Sequence, residues 1–225
     1  MIFAAAAVLI LALSQAAQPA AAPASASAEI RFSFEHAQLD PAQYTLVIHE
    51  DGSGHYQSTP GPVSTSGSDG FASTPQQREM VVRDPLLASL FRTARSHHFF
   101  ATECEAPDSH VAFTGKKTVS YTGSDGHGEC TFNWSRDQQL NQLANDLMAV
   151  AYTLYEGNRL AIMHTHSRLG LDAELENLQD AARNHRALEI ENIAPELQSI
   201  AGDPAVMNRA RNRARALLNG DASKH

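Results

Sequence analysis

The chain has 225 residues, 17 basic against 25 acidic, for a formal charge of −8. Nucleic acid and anionic lipid both require a net positive surface, so this balance argues against either as the main partner. Beyond its opening apolar run the chain is long enough to bury a real core in one or two domains.

The opening, MIFAAAAVLILALSQAAQPAAAPASASAE, sets an apolar run from Ile2 to Leu13 ahead of small residues, the layout of a secretory signal peptide. The run falls short of the roughly 20 residues that a bilayer span needs. Small-x-small cleavage patterns end at Ala16 and at Ala28. No Lys or Arg precedes the run, so only the Met1 amine supplies positive charge there; an uncleaved anchor or a misplaced start is the competing reading. No cysteine follows as a lipid anchor and no twin arginine occurs. The expectation is an exported protein, periplasmic or secreted, with residues 1–28 as signal and leader and no stable membrane span after cleavage. Cys104 and Cys130 are the only cysteines, and in an oxidising compartment an even pair reads as a disulfide. A catalytic thiol would require one of them free beside a base.

EIRFSFEH places Ile30, Phe32 and Phe34 on one side of a half-buried strand. QYTLVIHEDGSGHYQS gives alternating Tyr44, Leu46 and Ile48, an Asp51-Gly52 turn and a return strand through Tyr56, a hairpin signature. Residues 59–75 are rich in Pro, Gly, Ser and Thr and read as a long surface loop, and a strand resumes at QREMVV. Asp84 and Pro85 suit a helix cap and first position, with Leu86, Leu87, Leu90, Phe91 and Ala94 at helical spacing as far as Ser96–His98.

In KKTVSYTGSDGHGECTFNW, Val119 and Tyr121 alternate with Thr118, Ser120 and Thr122, and Gly123, Gly126 and Gly128 suit the turn of a second hairpin. A phosphate-binding loop would lead into a helix N-terminus, whereas this one leads into a strand. Asp125 and His127 are therefore expected exposed at the tip, beside a disulfide that ties the segment after the first helix to the second strand of the hairpin. Gly67-Ser68-Asp69-Gly70 nearly repeats the turn string. Beyond Ser135, a candidate cap, Leu140, Leu143, Ala144, Leu147, Ala151 and Leu154 form one helical stripe, which Gly157-Asn158 is expected to interrupt. Further helices are expected over 159–167, 172–185 and 194–201, then one opening at Asp203-Pro204 and closing at Asn219-Gly220. The fold class expected is α+β: an antiparallel sheet of hairpins with one inserted helix over residues 29–156, then an all-helical region over 157–225.

Eleven histidines raise the question of a metal. The best candidates are His97, His98, His164 and His166, but ligands on a zinc-binding helix sit four apart, whereas His164 and His166 are two apart and share no helical face; an extended segment would bring that pair together. A solvated cluster is the simpler reading, and no cofactor is expected. No G-x-S-x-G or S-x-x-K nucleophile motif occurs, and no catalytic residue is assigned. Asp172, Glu174, Glu176 and Asp180 read as a solvated helix face. Arg209, Arg211, Arg213 and Arg215 form either a basic patch for an acidic partner or an ordinary cationic helix end. Asn133-Trp134-Ser135 is formally a glycosylation sequon.

YTLVIHEDGSGHY, followed by a helix and then KKTVSYTGSDGHGECTFNWS, resembles small secreted bacterial domains of unknown function that pair a Tyr-x-apolar-x-Ile-x-x-Asp-Gly hairpin with later strands and a helix. The likeness covers residues 29–156. It implies location and fold and carries over no catalytic residue. The expected function is a non-enzymatic binding or structural module of the cell envelope, with an unidentified envelope or extracellular protein as partner. The alternative is a periplasmic or secreted hydrolase-like or metal-dependent enzyme using the histidines.

Overall fold

A computed structural model describes residues 27–62, 74–106 and 111–220. The apolar opening, the Gly67–Gly70 string and most of the 59–75 loop lie outside them. The fold is α+β. Six strands, β1 (Glu29–Glu35), β2 (Gln43–His49), β3 (Ser53–Thr59), β4 (Gln76–Val81), β5 (Lys116–Gly123) and β6 (Gly126–Phe132), form one antiparallel sheet in the order β4-β3-β2-β1-β5-β6. The first strand is thus internal. The chain meanders outward to β4, crosses the sheet as helix α1 (Leu86–Ser96), and lays the β5–β6 hairpin on the free side of β1.

Strand period sorts the two faces of the sheet. Ile30 and Phe32 on β1, Leu46 and Ile48 on β2, Tyr56 on β3, Met80 on β4, Val119 and Tyr121 on β5, and Phe132 on β6 point into one core, covered by Leu90, Phe91 and Ala94 of α1 and by helix α2. The other face carries the alternate residues, and its rows are polar apart from Val47 and Val81. One row runs Gln77, Gln57, Thr45, Ser33, Thr118, Thr131 across all six strands. Ser33 and Thr45 hydroxyls lie 3.2 Å apart, and those of Thr118 and Thr131 lie 2.9 Å apart.

Helix α2 runs unbroken from Gln138 to His166, 29 residues, or roughly 44 Å at 1.5 Å per residue. Gly157-Asn158 does not interrupt it, because Gly157 is where Ile193 packs: a Cβ there would lie 2.2 Å from Ile193 Cγ2. The same helix serves two apolar clusters. Leu140 through Leu154 complete the core under the sheet, while Leu160 and Met163 join α3 (Leu171–Arg183), α4 (Ala194–Gly202) and α5 (Asn208–Leu218) in a second, all-helical core. No helix among the described residues is long and apolar enough to cross a membrane.

Helix α1 starts one residue later than expected, with Pro85 rather than Asp84 at the cap, and two further helix starts differ from the sequence expectation. Asp137, not Ser135, caps α2, its carboxylate accepting the Gln139 and Leu140 N–H groups at 2.8 and 3.2 Å. Ser135 instead accepts the Asp137 N–H. The last helix opens at Asn208 rather than Pro204, because Asp203 holds a separate turn through the Ala205 N–H at 2.8 Å and also binds His164.

Candidate functional site

Strands β1 and β6 end, and β2 and β5 begin, at the same end of the sheet, and there an open cleft of about 720 Å³ lies. Glu35 and His36 come from the end of β1, Gln43 from the start of β2, Pro60 and Pro62 from the chain leaving β3, Lys116 from the start of β5, and Thr131, Phe132 and Asn133 from the end of β6. Glu105 and Phe113, from the segments before β5, also line it.

Its foundation is Lys117. Lys117 falls on the same strand parity as Val119 and Tyr121, and its side chain is buried, 7% exposed. The ammonium donates to Asn133 O at 2.8 Å, Thr114 Oγ1 at 3.2 Å and Gly115 O at 3.3 Å, which uses all three of its hydrogens. Burial pulls its pKa below the ordinary lysine value, and Glu105 opposes the shift. Gly115 has φ +119°, and a Cβ there would strike the Phe34 ring at 2.3 Å. The chain can therefore pass between Lys117 and Phe34 only as glycine.

Asn133 stitches the opposite side. Its Oδ1 accepts the Thr114 N–H at 2.7 Å, its Nδ2 donates to Ala112 O at 3.1 Å, and its backbone N–H donates to the Glu105 carboxylate. The nitrogen that a sequon glycan would occupy is thus engaged. Cys104, next to Glu105, is bonded to Cys130, with sulfurs 2.05 Å apart. The disulfide and Glu105 together clamp the 101–106 segment along β6. At the mouth, Phe113 is 62% exposed and its ring stacks on His36 at 5.4 Å. Lys116 Nζ lies 3.7 Å from Glu35.

The histidine candidates do not meet. His97 bridges the end of α1 to the cap of α2: its Nε2 lies 2.7 Å from Asp137 Oδ2, and its Nδ1 lies 2.9 Å from Thr93 O. Both ring nitrogens are occupied, so His97 has none for a substrate. Burial works to raise the Asp137 carboxyl, but the Leu140 and Gln139 amides and His97 outweigh it and hold it below its usual value. His164 pairs with Asp203 at 2.8 Å, 27 positions along α2 from Asp137, or roughly 40 Å. His98 and His166 are exposed. Among the described residues no group of three or more His, Cys, Asp or Glu is placed to hold a metal ion.

The arginines of α5 mostly face other parts of the chain. Arg209 and Arg213 both pair with Asp172 of α3, and Arg213 also reaches Glu176 at 2.8 Å and Gln179 at 3.0 Å. Arg215 donates to Ala201 O at 2.9 Å, and Arg211 to Asn208. Asp172 is buried and Glu174 pairs with Arg159 at 3.0 Å. The acidic helix face expected to be solvated is therefore, at Asp172, Glu174 and Glu176, part of a helix–helix junction. Arg209 holds the Asp172 carboxyl below its usual value against the opposing effect of burial, with Arg213 adding to it.

At the other end of the sheet, His127 is exposed at the hairpin as expected. Asp125 is exposed as well, but it is not a free turn residue: Arg95 of α1 donates to it at 2.8 Å and the Tyr121 hydroxyl at 2.6 Å. Arg95 also reaches Glu50 in the β2–β3 turn at 2.6 Å.

His36, Glu105, Phe113 and Lys117 escaped sequence reasoning. Only Lys117 carries a local signal, a lysine standing in the apolar parity of its strand. No protein-family model and no curated protein matches the chain.

Proposed function

We propose that this is an exported, non-enzymatic binding module of the cell envelope and that the cleft at the Glu35–Lys116 end of the sheet is its ligand site. The observation that carries the reading is the state of the ionisable groups at the cleft. Glu35 faces Lys116, Glu105 is taken by the Asn133 N–H, His36 is stacked on Phe113 and Lys117 is buried with every hydrogen used. A general base or nucleophile must be within reach of a substrate and free to exchange a proton; Lys117 and Glu105 are instead committed to holding the cleft in shape. A mostly preformed concavity with an exposed aromatic at its mouth is what ligand binding uses.

Export is supported by the apolar opening and the paired cysteines. Ala28 is buried and its carbonyl accepts the Glu50 N–H at 2.9 Å. That favours leader removal after Ala16 over removal after Ala28, which would cut the chain at the first strand.

A photo-crosslinking residue at position 113, expressed in the native envelope, tests the proposal. A recurrent adduct that is lost when Gln43 and Thr131 are replaced supports it. Turnover in a broad hydrolase screen that depends on His97 or His164 overturns it.

A further inference from the structure

We infer that the ligand of this cleft is a neutral, linear oligosaccharide, which runs from the Phe113 ring onto the open face of the sheet. The inference rests on the binding reading above and names its ligand class.

The cleft is continuous with the polar face. Thr131 lines it and ends the row that continues through Thr118, Ser33, Thr45, Gln57 and Gln77. At about 4.8 Å between strands that row spans roughly 24 Å, a length suited to a short chain of pyranose rings. Every side chain in it is an uncharged hydroxyl or amide. A hydroxyl offers one donor and two acceptor lone pairs. The Ser33–Thr45 and Thr118–Thr131 contacts each use one donor and one lone pair, so each pair keeps a donor and acceptors for a polyol. Phe113 supplies the other element of sugar binding, since the C–H face of a pyranose lies on the negative face of an aromatic ring. Its stacking on His36 holds that ring in place.

The same observations disfavour other polymers. Protein interfaces centre on buried aromatic and arginine anchors, whereas the six-strand row has no apolar side chain and the row beside it has only Val47 and Arg31 of those kinds. An extended peptide would add to a free sheet edge, but Asn192 takes both backbone groups of Val81 at the end of β4, and Glu105 takes the Asn133 N–H at the end of β6. A polyanion meets a chain of charge −8.

The test is an NMR titration of the folded, oxidised protein with the N-acetylglucosamine tetramer, the cellulose tetramer and the maltose-series tetramer. A proline-rich peptide serves as the competing class. At least one tetrasaccharide is expected to bind with a dissociation constant of about 1 mM or tighter, shifting Phe113, Gln43 and Thr131 together with Thr118, Ser33 and Thr45. Phe113→Ala should weaken it about tenfold or more, and Thr45→Val should weaken the tetramer while leaving the matching disaccharide unchanged. Absence of shifts with all three sugars, or binding that Phe113→Ala leaves unaltered, overturns the inference. If the peptide alone moves the cleft resonances, the saccharide is wrong and the binding module stands; if neither sugar nor peptide binds and position 113 captures nothing, both fall.

Discussion

The side chain of Asn192 pairs with the backbone of Val81 as a neighbouring strand would. Its Oδ1 accepts the Val81 N–H at 2.8 Å and its Nδ2 donates to the Val81 carbonyl at 2.9 Å. Strand β4 is the outermost of the meander, and an open edge there would be a template for another chain. Arg78 and Arg83 reinforce the cover, donating to Asn192 O at 2.9 Å and to Glu189 at 3.1 Å. The helical region therefore both packs its own core and covers the end of β4.

Asn192→Ala should leave the Val81 groups to solvent or to a second molecule. We expect a stability loss of about 1–2 kcal/mol in urea unfolding and concentration-dependent association in sedimentation. A monomeric variant of unchanged stability would show that Asn192 does not protect the edge.

Arg95 joins α1, the β2–β3 turn and the tip of the second hairpin through Glu50 and Asp125. Arg95, with the Tyr121 hydroxyl next, holds the Asp125 carboxyl below its usual value. A depressed folded-state pKa stabilises the fold above the ordinary carboxylate pKa, and that stabilisation disappears as pH falls through the folded value. The melting temperature of Asp125→Asn should accordingly sit below that of the wild type at neutral pH, with the gap closing in acid. His127→Ala should melt as the wild type does. Burial, and then the bond to Asp125, pushes the Tyr121 phenol up to about 12, and burial pushes up Tyr44, Tyr56 and Tyr152 as well, so ultraviolet titration should find several tyrosines ionising late in the wild type and one of them earlier in Asp125→Asn. Equal melting of both variants with the wild type would return Asp125 to the role of a simple turn residue.

Strands were legible because their apolar residues alternate: Ile30, Phe32, Phe34 and Leu46, Ile48 are enough to orient β1 and β2. Helix continuity was less so, since Gly157-Asn158 is a locally sound stop and what overrides it is Ile193, 36 positions later. Asp203-Pro204 misled for a similar reason. The pair satisfies the cap pattern, but the Asp203 carboxylate is committed to Ala205 and His164. The cleft was the least legible part, because four strand ends and three irregular segments supply it and no spacing along the chain relates Glu35, Phe113 and Asn133. Lys117 alone could have been flagged, by the parity argument that placed Val119 and Tyr121 inside.

The disulfide has a stability consequence and a local one. Closing a chain across a sequence separation of 26 should stabilise by about 3.5 kcal/mol in the chain-entropy model. Mass spectrometry under non-reducing conditions should find both cysteines protected from alkylation. After reduction, hydrogen exchange should quicken first at the Ala106 and Asn133 amides, which bond Trp134 O and Glu105 across the clamp. Two alkylated thiols in the untreated mature protein would remove both the bridge and a main support for export.

Gly157 offers a test in which two effects have opposite signs. In an exposed helix interior, Gly→Ala stabilises by about 1 kcal/mol. Here the new Cβ would lie 2.2 Å from Ile193 Cγ2 and 3.2 Å from Arg78 Nη1, and overpacking of a closed core costs about 1–3 kcal/mol. Ile193 is fully buried and cannot swing aside into solvent. The clash should win, making Gly157→Ala net destabilising in urea unfolding. Ile193→Ala alone should cost about 2–5 kcal/mol for the cavity it leaves. In the double variant the alanine methyl at 157 occupies part of that cavity without a clash and keeps its helix propensity. The two losses should therefore be clearly less than additive, as expected for residues in contact. A stabilised Gly157→Ala protein, or strictly additive losses, would mean that α2 and the turn before α4 are not packed through this pair, and another reason would be needed for the helix to run on through Gly157.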